Sequence, residues 1–251
     1  MLLLSQNPKT QQPMSAFPPS ALETLAYSDR GPSLAPISFR RARFAGGAMD
    51  PRDAMVKRAA DIVLASISLI VMCVPMLLAM MAIRLTSKGP ALFRQERIGL
   101  NGRRFVMVKF RTMHHTVEPP GSCPQATRDD PRVTPIGGWL RRTSFDEFPQ
   151  LINVLLGSMS LVGPRPHAPG TCAAGRPFEA ISHRYGARHV VKPGMTGLAQ
   201  IRGWRGETDT EEKLLRRIDS DLEYIATWSL GRDLLIICRT IVTMLRMPNA
   251  Y

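Results

Sequence analysis

Residues 62–83 read IVLASISLIVMCVPMLLAMMAI, from Ile62 to Ile83, without one charged side chain. A bilayer-spanning helix needs roughly 20 such residues. A soluble core helix of this length would be apolar on every face, an unusual arrangement, so the segment is read as membrane-inserted. Its flanks bear on how it inserts. Lys57 and Arg58 precede it, and Arg84, Lys88, Arg94 and Arg97 follow it. Basic residues tend to stay on the cytoplasmic side, and here both ends are basic. Pro75 removes one helical hydrogen bond and crowds the preceding turn. A simple kinked span satisfies one flank only. A helix-break-helix hairpin turning at Pro75 and re-entering the same leaflet satisfies both, if protein or headgroups cover the backbone groups freed at the bend. Ser66 and Ser68 are placed to bond some of them.

On the N-terminal side, residues 1–52 are dominated by Pro, Ser, Gln and Ala with no lasting apolar period, the composition of a disordered arm. Its apolar start, Met1–Leu4, is too short for a signal-peptide core. Arg40, Arg41, Arg43 and Arg52 make its end basic, which suits either an anionic membrane surface or plain solvation. The membrane segment is bounded at 53–88 and a cytosolic domain at 89–251. In that domain Ala91–Arg97 and Arg104–Arg111 read as strands around the turn pair Asn101-Gly102, whose residues both favour φ > 0. Leu151–Leu156 reads as a helix. So does Thr210–Thr227, with Leu214, Leu215, Ile218, Leu222 and Ile225 on one face. Asp233–Leu245 is an apolar helix that Arg239 and Arg246 would hold at an interface. The fold class is therefore α+β: a membrane helix, a small β-hairpin and a mainly helical domain with interfacial helices.

Composition narrows the partners. The formal charge of +13 points to an anionic ligand: nucleic acid, lipid or phosphorylated substrate. Aromatic residues are only 6%, and no basic stripe carries interleaved aromatics for base stacking, so nucleic acid is not expected. Cys73, Cys123, Cys172 and Cys238 show no CxxC spacing and read as reduced, ordinary thiols. His114, His115 and Cys123 lack a matching second pair for zinc.

The chemistry concentrates in Arg141-Arg142-Thr143-Ser144-Phe145-Asp146-Glu147-Phe148-Pro149-Gln150. Ser144 and Glu147 match a capping box, though Pro149 would then sit too deep in the helix. A helix beginning near Pro149 would leave Asp146 and Glu147 at its approach, where phosphate is favoured. There one carboxylate can attack phosphorus and its neighbour can hold Mg²⁺. Capping and catalysis both remain open on these residues alone. The context adds Lys109 and Arg111 on alternate strand positions, Arg165 fixed between Pro164 and Pro166, and Arg188 and Lys192 ahead of Pro193-Gly194. Rigid loops that carry arginines beside an acidic pair suit a diphosphate and its metal.

Ordered blocks from Lys57 to about Met247 resemble the bacterial sugar transferases, monotopic polyprenyl-phosphate phosphoglycosyl transferases. They are Lys57-Arg58-Ala59-Ala60-Asp61-Ile62, Gly89-Pro90, Phe93–Gly99, Lys109-Phe110-Arg111-Thr112-Met113 and Asp130-Pro131-Arg132-Val133-Thr134. The acidic-pair segment, Asn153-Val154-Leu155, Met159–Pro166 and Pro193-Gly194-Met195-Thr196-Gly197 complete the set. The resemblance implies a re-entrant helix broken at Pro75, Asp146 as nucleophile, Glu147 as Mg²⁺ ligand, and phosphate or nucleotide contacts from Lys109, Arg111, Arg142, Arg165 and Arg188. It implies transfer of a hexose-1-phosphate from a UDP-sugar to undecaprenyl phosphate through an Asp-phosphosugar intermediate. It also places the protein on the bacterial inner membrane with its catalytic domain on the cytoplasmic face, against anionic lipids. Phe145 and Phe148 depart from the usual Leu, the loop 114–128 matches nothing, and the chain looks like the compact form without further N-terminal membrane helices. Gly203–Thr210 and Pro166-His167-Ala168 look like the subgroup that transfers glucose-1-phosphate, hence the first step of an exopolysaccharide repeat unit. UDP-galactose is the alternative donor, and a membrane-anchored scaffold of polysaccharide assembly the alternative class. Oligomeric state stays open, a homo-oligomer included.

Overall fold

The computed structural model describes residues 44–45, 48–114 and 130–246. Most of the expected arm, and nearly all of the 114–128 loop with His115 and Cys123, lie outside the described residues. At the arm's end Phe44–Ala45 pairs antiparallel with Ala48–Met49. Helix α1 (Pro51–Thr86) then starts two residues ahead of the expected boundary. The reason is local. Asp50 is the N-cap and its side chain accepts from the Arg52 amide at 2.9 Å, while Pro51 fills the first helical position, where no N–H is needed.

Helix α1 has 36 residues, about 54 Å at 1.5 Å per residue, and is long and apolar enough to cross a membrane. Pro75 lies inside it, and the backbone stays helical on both sides, so the expected break is not an interruption of the helix. Its buried positions, Lys57, Asp61, Ala65, Met76, Ala79 and Ile83, form one stripe facing the rest of the protein. The remaining surface is apolar yet exposed, with Ile70 at 77%, Val74 at 65% and Leu85 at 78%. An apolar surface of that extent is covered by something other than water.

Both ends of α1 are fastened to the same domain. Near the N-terminal end, Lys57 pairs with buried Asp233 at 2.7 Å, and Arg58 donates to the carbonyls of Val154 and Leu155 at 2.5 and 2.7 Å. Asp61 accepts from the Leu161 amide at 3.0 Å. The two cations read as a membrane flank are thus consumed inside the protein. At the other end, Met76, Ala79 and Ile83 pack on Ala91, Phe110 and Leu140.

The hairpin forms as the turn pair predicts. Strand β1 (Leu92–Ile98) pairs antiparallel with β2 (Arg104–Phe110), Leu92 opposite Phe110, and Asn101 and Gly102 both take positive φ, 54° and 73°. Helix α2 (Pro135–Arg142) is capped by Thr134, whose hydroxyl accepts from the Gly137 amide at 3.0 Å. A tight turn over Phe145–Glu147 leads to helix α3 (Gln150–Leu156), closed by Gly157 at φ +86°. Strands β3 (Ser160–Val162) and β4 (Gly194–Thr196) then pair in parallel. This joins the Val162–Pro166 and Pro193–Gly197 motifs, distant in sequence, into one unit. A Cβ on Gly194 would lie 2.1 Å from the Gly163 amide nitrogen, and one on Gly163 would lie 2.6 Å from the Lys192 carbonyl. Glycine is required at both by that approach. Helices α4 (Glu211–Ala226) and α5 (Leu230–Arg246) close the domain over a core that includes Val162, Phe178, Tyr185, Leu214, Ile218, Tyr224, Trp228 and Ile236.

Candidate active site

The acidic pair is carried by the turn between α2 and α3. Ser144 adopts a left-handed conformation, φ 56°, which swings the chain out of α2 and leaves Ser144 making no cap hydrogen bond. Its hydroxyl accepts from Arg205 at 2.9 Å instead, and Glu147 turns to Arg165. Helix α3 begins at Gln150, with Pro149 before it. The capping-box geometry is therefore absent, and the two carboxylates stand at the approach to α3.

Asp146 is buried, 7% exposed. Burial, then the charge of Glu147, pushes its carboxyl up to about 7, against the pull of Lys109, Arg141 and Arg165. Burial also acts on Glu147, but the charge and hydrogen bonds of Arg165 outweigh it and hold that carboxyl below its ordinary range. The Arg165 guanidinium meets Glu147 in a fork: Nη1 donates to Oε2 at 3.0 Å and Nη2 to Oε1. Lys109 lies over the Phe93 ring, 5.3 Å from its centroid, and burial, opposed by Asp146, lowers its ammonium to about 8.

These groups line a cleft of about 1610 Å³. Its lining includes apolar side chains of α1 and α5, Ile67, Val71, Met72, Ile237, Ile241 and Met244 among them. It also includes the polar and cationic side chains of Arg97, His167, Arg205, Thr208 and Arg217. Asp146 and Glu147 line the same cleft.

Of the expected site residues, the structure brings Asp146, Glu147, Lys109 and Arg165 together. The others behave differently. Arg142 is exposed and absent from the cleft lining, where its neighbour Arg141 lies buried, donating from Nε to the Thr112 hydroxyl at 2.9 Å. Arg111 borders the cleft, but its guanidinium binds the Lys88 carbonyl, the Ser87 carbonyl at 2.9 Å and the Ser87 hydroxyl at 2.9 Å, clamping the exit of α1. Arg188 is 2% exposed and does not line the cleft. It pairs with buried Asp221 at 2.6 Å and donates to the Arg165 carbonyl at 2.8 Å, holding the Arg165 loop from behind. Four further polar residues of the lining, Arg97, Arg205, His167 and Arg217, were given no site role from sequence, although His167 and Arg205 lie in the stretches likened to the glucose-transferring subgroup. For Arg217 a signal existed: Arg217 and Asp221 fall on the buried stripe of α4 among Leu214, Ile218 and Leu222, where unneeded charges are costly.

The donor set suits a hard divalent cation. Burial, then the charge of Glu147, pushes Asp146 toward its neutral form despite Lys109, Arg141 and Arg165, and a bound cation would offset that push. Among the described residues no group of three or more His, Cys, Asp or Glu could cage a metal. Mg²⁺ commonly binds through one or two carboxylates and completes its shell with water and substrate phosphates. Each Glu147 oxygen keeps a lone pair beyond its bond to Arg165, so Glu147 fits the ligand role.

The acidic pair, the Arg165 fork and apolar side chains of α1 thus border one cleft. Residues 52–247 match the bacterial sugar transferase family. Over 225 residues the chain is 48% identical to a UDP-glucose:undecaprenyl-phosphate glucose-1-phosphate transferase of Caulobacter vibrioides, covering 89% of this chain and 81% of that one. A protein of the same name from Escherichia coli is 49% identical over 187 residues, 74% of this chain but 39% of its own length. An exopolysaccharide production protein of Rhizobium leguminosarum is 46% identical over 199 residues, 79% of this chain and 100% of its own. The chain belongs to the bacterial sugar transferase family.

Proposed function

We propose that this chain transfers glucose-1-phosphate from UDP-glucose to undecaprenyl phosphate, the first step of an exopolysaccharide repeat unit. The observation that carries the reading is the Asp146–Glu147 pair, Asp146 buried and Glu147 partly so, in one cleft lined both by cationic side chains and by apolar side chains of α1 and α5. A diphosphate with a polar nucleoside and sugar suits the cationic lining; a polyprenyl chain suits the apolar one. Glucose is taken from what the Caulobacter vibrioides and Escherichia coli relatives are named for.

The chemistry balances in two displacements. An Asp146 carboxylate oxygen forms a bond to the β-phosphorus, the bond from that phosphorus to the bridging oxygen breaks, and UMP leaves with the electron pair. A phosphate oxygen of undecaprenyl phosphate then attacks the same phosphorus and Asp146 departs as carboxylate, giving the diphospholipid-linked sugar. Lys109, Arg141 and Arg165 supply fixed positive charge around the phosphoryl oxygens, where pre-set electrostatics contribute most. Glu147 would hold Mg²⁺, which when bound supplies charge neutralisation between the carboxylates and the phosphates. Excess chelator is expected to abolish UMP release and Mg²⁺ to restore it. Full turnover in chelator would remove Glu147 from that role.

Re-entrant insertion is supported by the two ends of α1. Lys57–Asp61 and Met76–Ser87 grip one domain, whereas a straight span would carry them to opposite sides of a hydrocarbon layer about 30 Å thick. On this reading the domain faces the cytoplasm at the bacterial inner membrane. With the native cysteines replaced, cysteines placed at Arg52 and at Lys88 should both react only from the cytoplasmic side. Reaction of either with an impermeant maleimide on intact cells would establish a full span.

A further inference from the structure

His167 follows the Pro164-Arg165-Pro166 loop, and the surrounding structure fixes its ring on every side. Its backbone carbonyl accepts from the Ile98 amide at 3.0 Å. The ring stacks on Tyr185 at 5.9 Å between centroids and meets Phe178 edge-on at 4.8 Å. Arg188 Nη1 lies 2.8 Å from Nδ1, and the Tyr185 hydroxyl lies 3.2 Å from the same atom. A guanidinium can only donate. Nδ1 therefore accepts, and the neutral ring carries its proton on Nε2. Burial and the surrounding cations, Arg188 first among them, hold the ring neutral.

That Nε2 is buried and has no hydrogen-bond partner in the protein, although His167 lines the cleft and has the cations Arg188, Arg217 and Arg97 near it. Arg217 presents a second such atom. It is 6% exposed, its Nη1 binds the Thr208 hydroxyl and its Nη2 the Gly206 carbonyl at 2.7 Å, but its Nε–H meets no acceptor. Leaving a buried donor unpaired costs about as much as losing a hydrogen bond, so two orphaned donors on neighbouring residues of one cleft are groups whose partner arrives with the ligand. Both are donors only. They match acceptor oxygens, which the nucleotide-sugar offers on its uracil, ribose, diphosphate and hexose.

We propose that His167 Nε2–H, with Arg217 Nε–H beside it, binds an acceptor oxygen of the UDP-sugar and so helps select the donor substrate. This rests on the proposed glucose-1-phosphate transfer and adds a specificity contact to it. His167→Asn tests it selectively: the amide oxygen can replace Nδ1 as acceptor for Arg188 while the Nε2 position is emptied. In purified full-length protein, kcat/KM for UDP-glucose should fall about tenfold, the scale of one neutral hydrogen bond. KM for polyprenyl phosphate should stay as in the wild type, and His167→Gln, which restores an N–H near Nε2, should recover part of the loss. UMP inhibition that weakens in parallel places the acceptor in the UMP half of the donor; unchanged UMP inhibition places it in the hexose-phosphate half. An Asn variant with wild-type kinetics toward UDP-glucose overturns the proposal while leaving the transferase reading intact. Should that variant fail to fold, ¹⁵N-histidine spectra of the wild-type protein decide. The Nε2-protonated form must be present and its Nε2–H must shift when UDP-glucose is added; an Nδ1-protonated ring, or no shift, overturns it. Absence of wild-type UMP release from every UDP-sugar would instead overturn the transferase reading itself.

Discussion

Asp146→Asn is expected to release no UMP from UDP-glucose and to lose nearly all turnover. The variant keeps the size and planarity of the side chain and removes only the charged oxygen nucleophile. Wild-type enzyme mixed with UDP-glucose and no lipid acceptor should release UMP in an amount not exceeding the enzyme, and the peptide that contains Asp146 should carry a phosphosugar. Neither signal should appear in the variant. Stability gives a second, opposite readout. Because burial raises the Asp146 carboxyl above its unfolded value, its proton is held more tightly in the folded state. Folding is then disfavoured as pH rises through the window between the ordinary carboxylate value and about 7. An uncharged Asn escapes that cost, so the melting temperature at neutral pH should hold or rise as activity disappears. A helix-capping Asp would behave the other way, losing about 1 kcal/mol of stability and keeping activity. Substantial turnover in Asp146→Asn would sink the covalent mechanism.

The second large effect concerns Arg188, and it separates a structural role from direct substrate binding. Arg188→Met strands Asp221, whose side chain is 3% exposed, without its ion-pair partner. Breaking a buried pair from one side typically costs about 3–5 kcal/mol, which for a domain of this size lowers the melting temperature on the order of 10 °C. The double variant Arg188→Met with Asp221→Leu should recover most of that loss, since apolar replacement of a whole buried pair is often neutral or better. Its activity should stay low, because the Arg165 carbonyl still lacks the Arg188 donor and the fork on Glu147 is less firmly aimed. If Arg188→Met melts like the wild type and only raises KM, Arg188 is a phosphate contact and the buried-pair account fails.

Local signals in the chain carried much of this fold. The charge-free run through Ile62–Ile83 identified the apolar helix, Asn101-Gly102 placed the hairpin turn, and the 3.6-residue period of Leu214, Ile218, Leu222 and Ile225 gave α4. Pro149 located the start of α3 and argued against a capping box at Ser144. Each is a property of neighbouring residues, dictated by backbone sterics or by burial of one face. Asp146, Glu147, Lys109 and Arg165 were singled out through the family resemblance, since local reading alone left capping open for the acidic pair, and the structure places all four along one cleft.

What an arginine does with its guanidinium was not legible. Arg111, Arg142 and Arg188 looked equivalent to Arg165 in sequence, yet one clamps the exit of α1, one faces solvent, and one is buried against Asp221. Lys57 and Arg58 looked like a membrane flank and instead tie α1 to Asp233 and the end of α3. A long cationic side chain reaches far enough that its partner is chosen by whichever carboxylate or carbonyl the tertiary structure brings within about 3 Å. The sequence by itself determined that this chain has an apolar helix and an acidic pair. Only the tertiary structure, by pairing β3 with β4 and gripping α1 at both ends, decided which cations reach that pair.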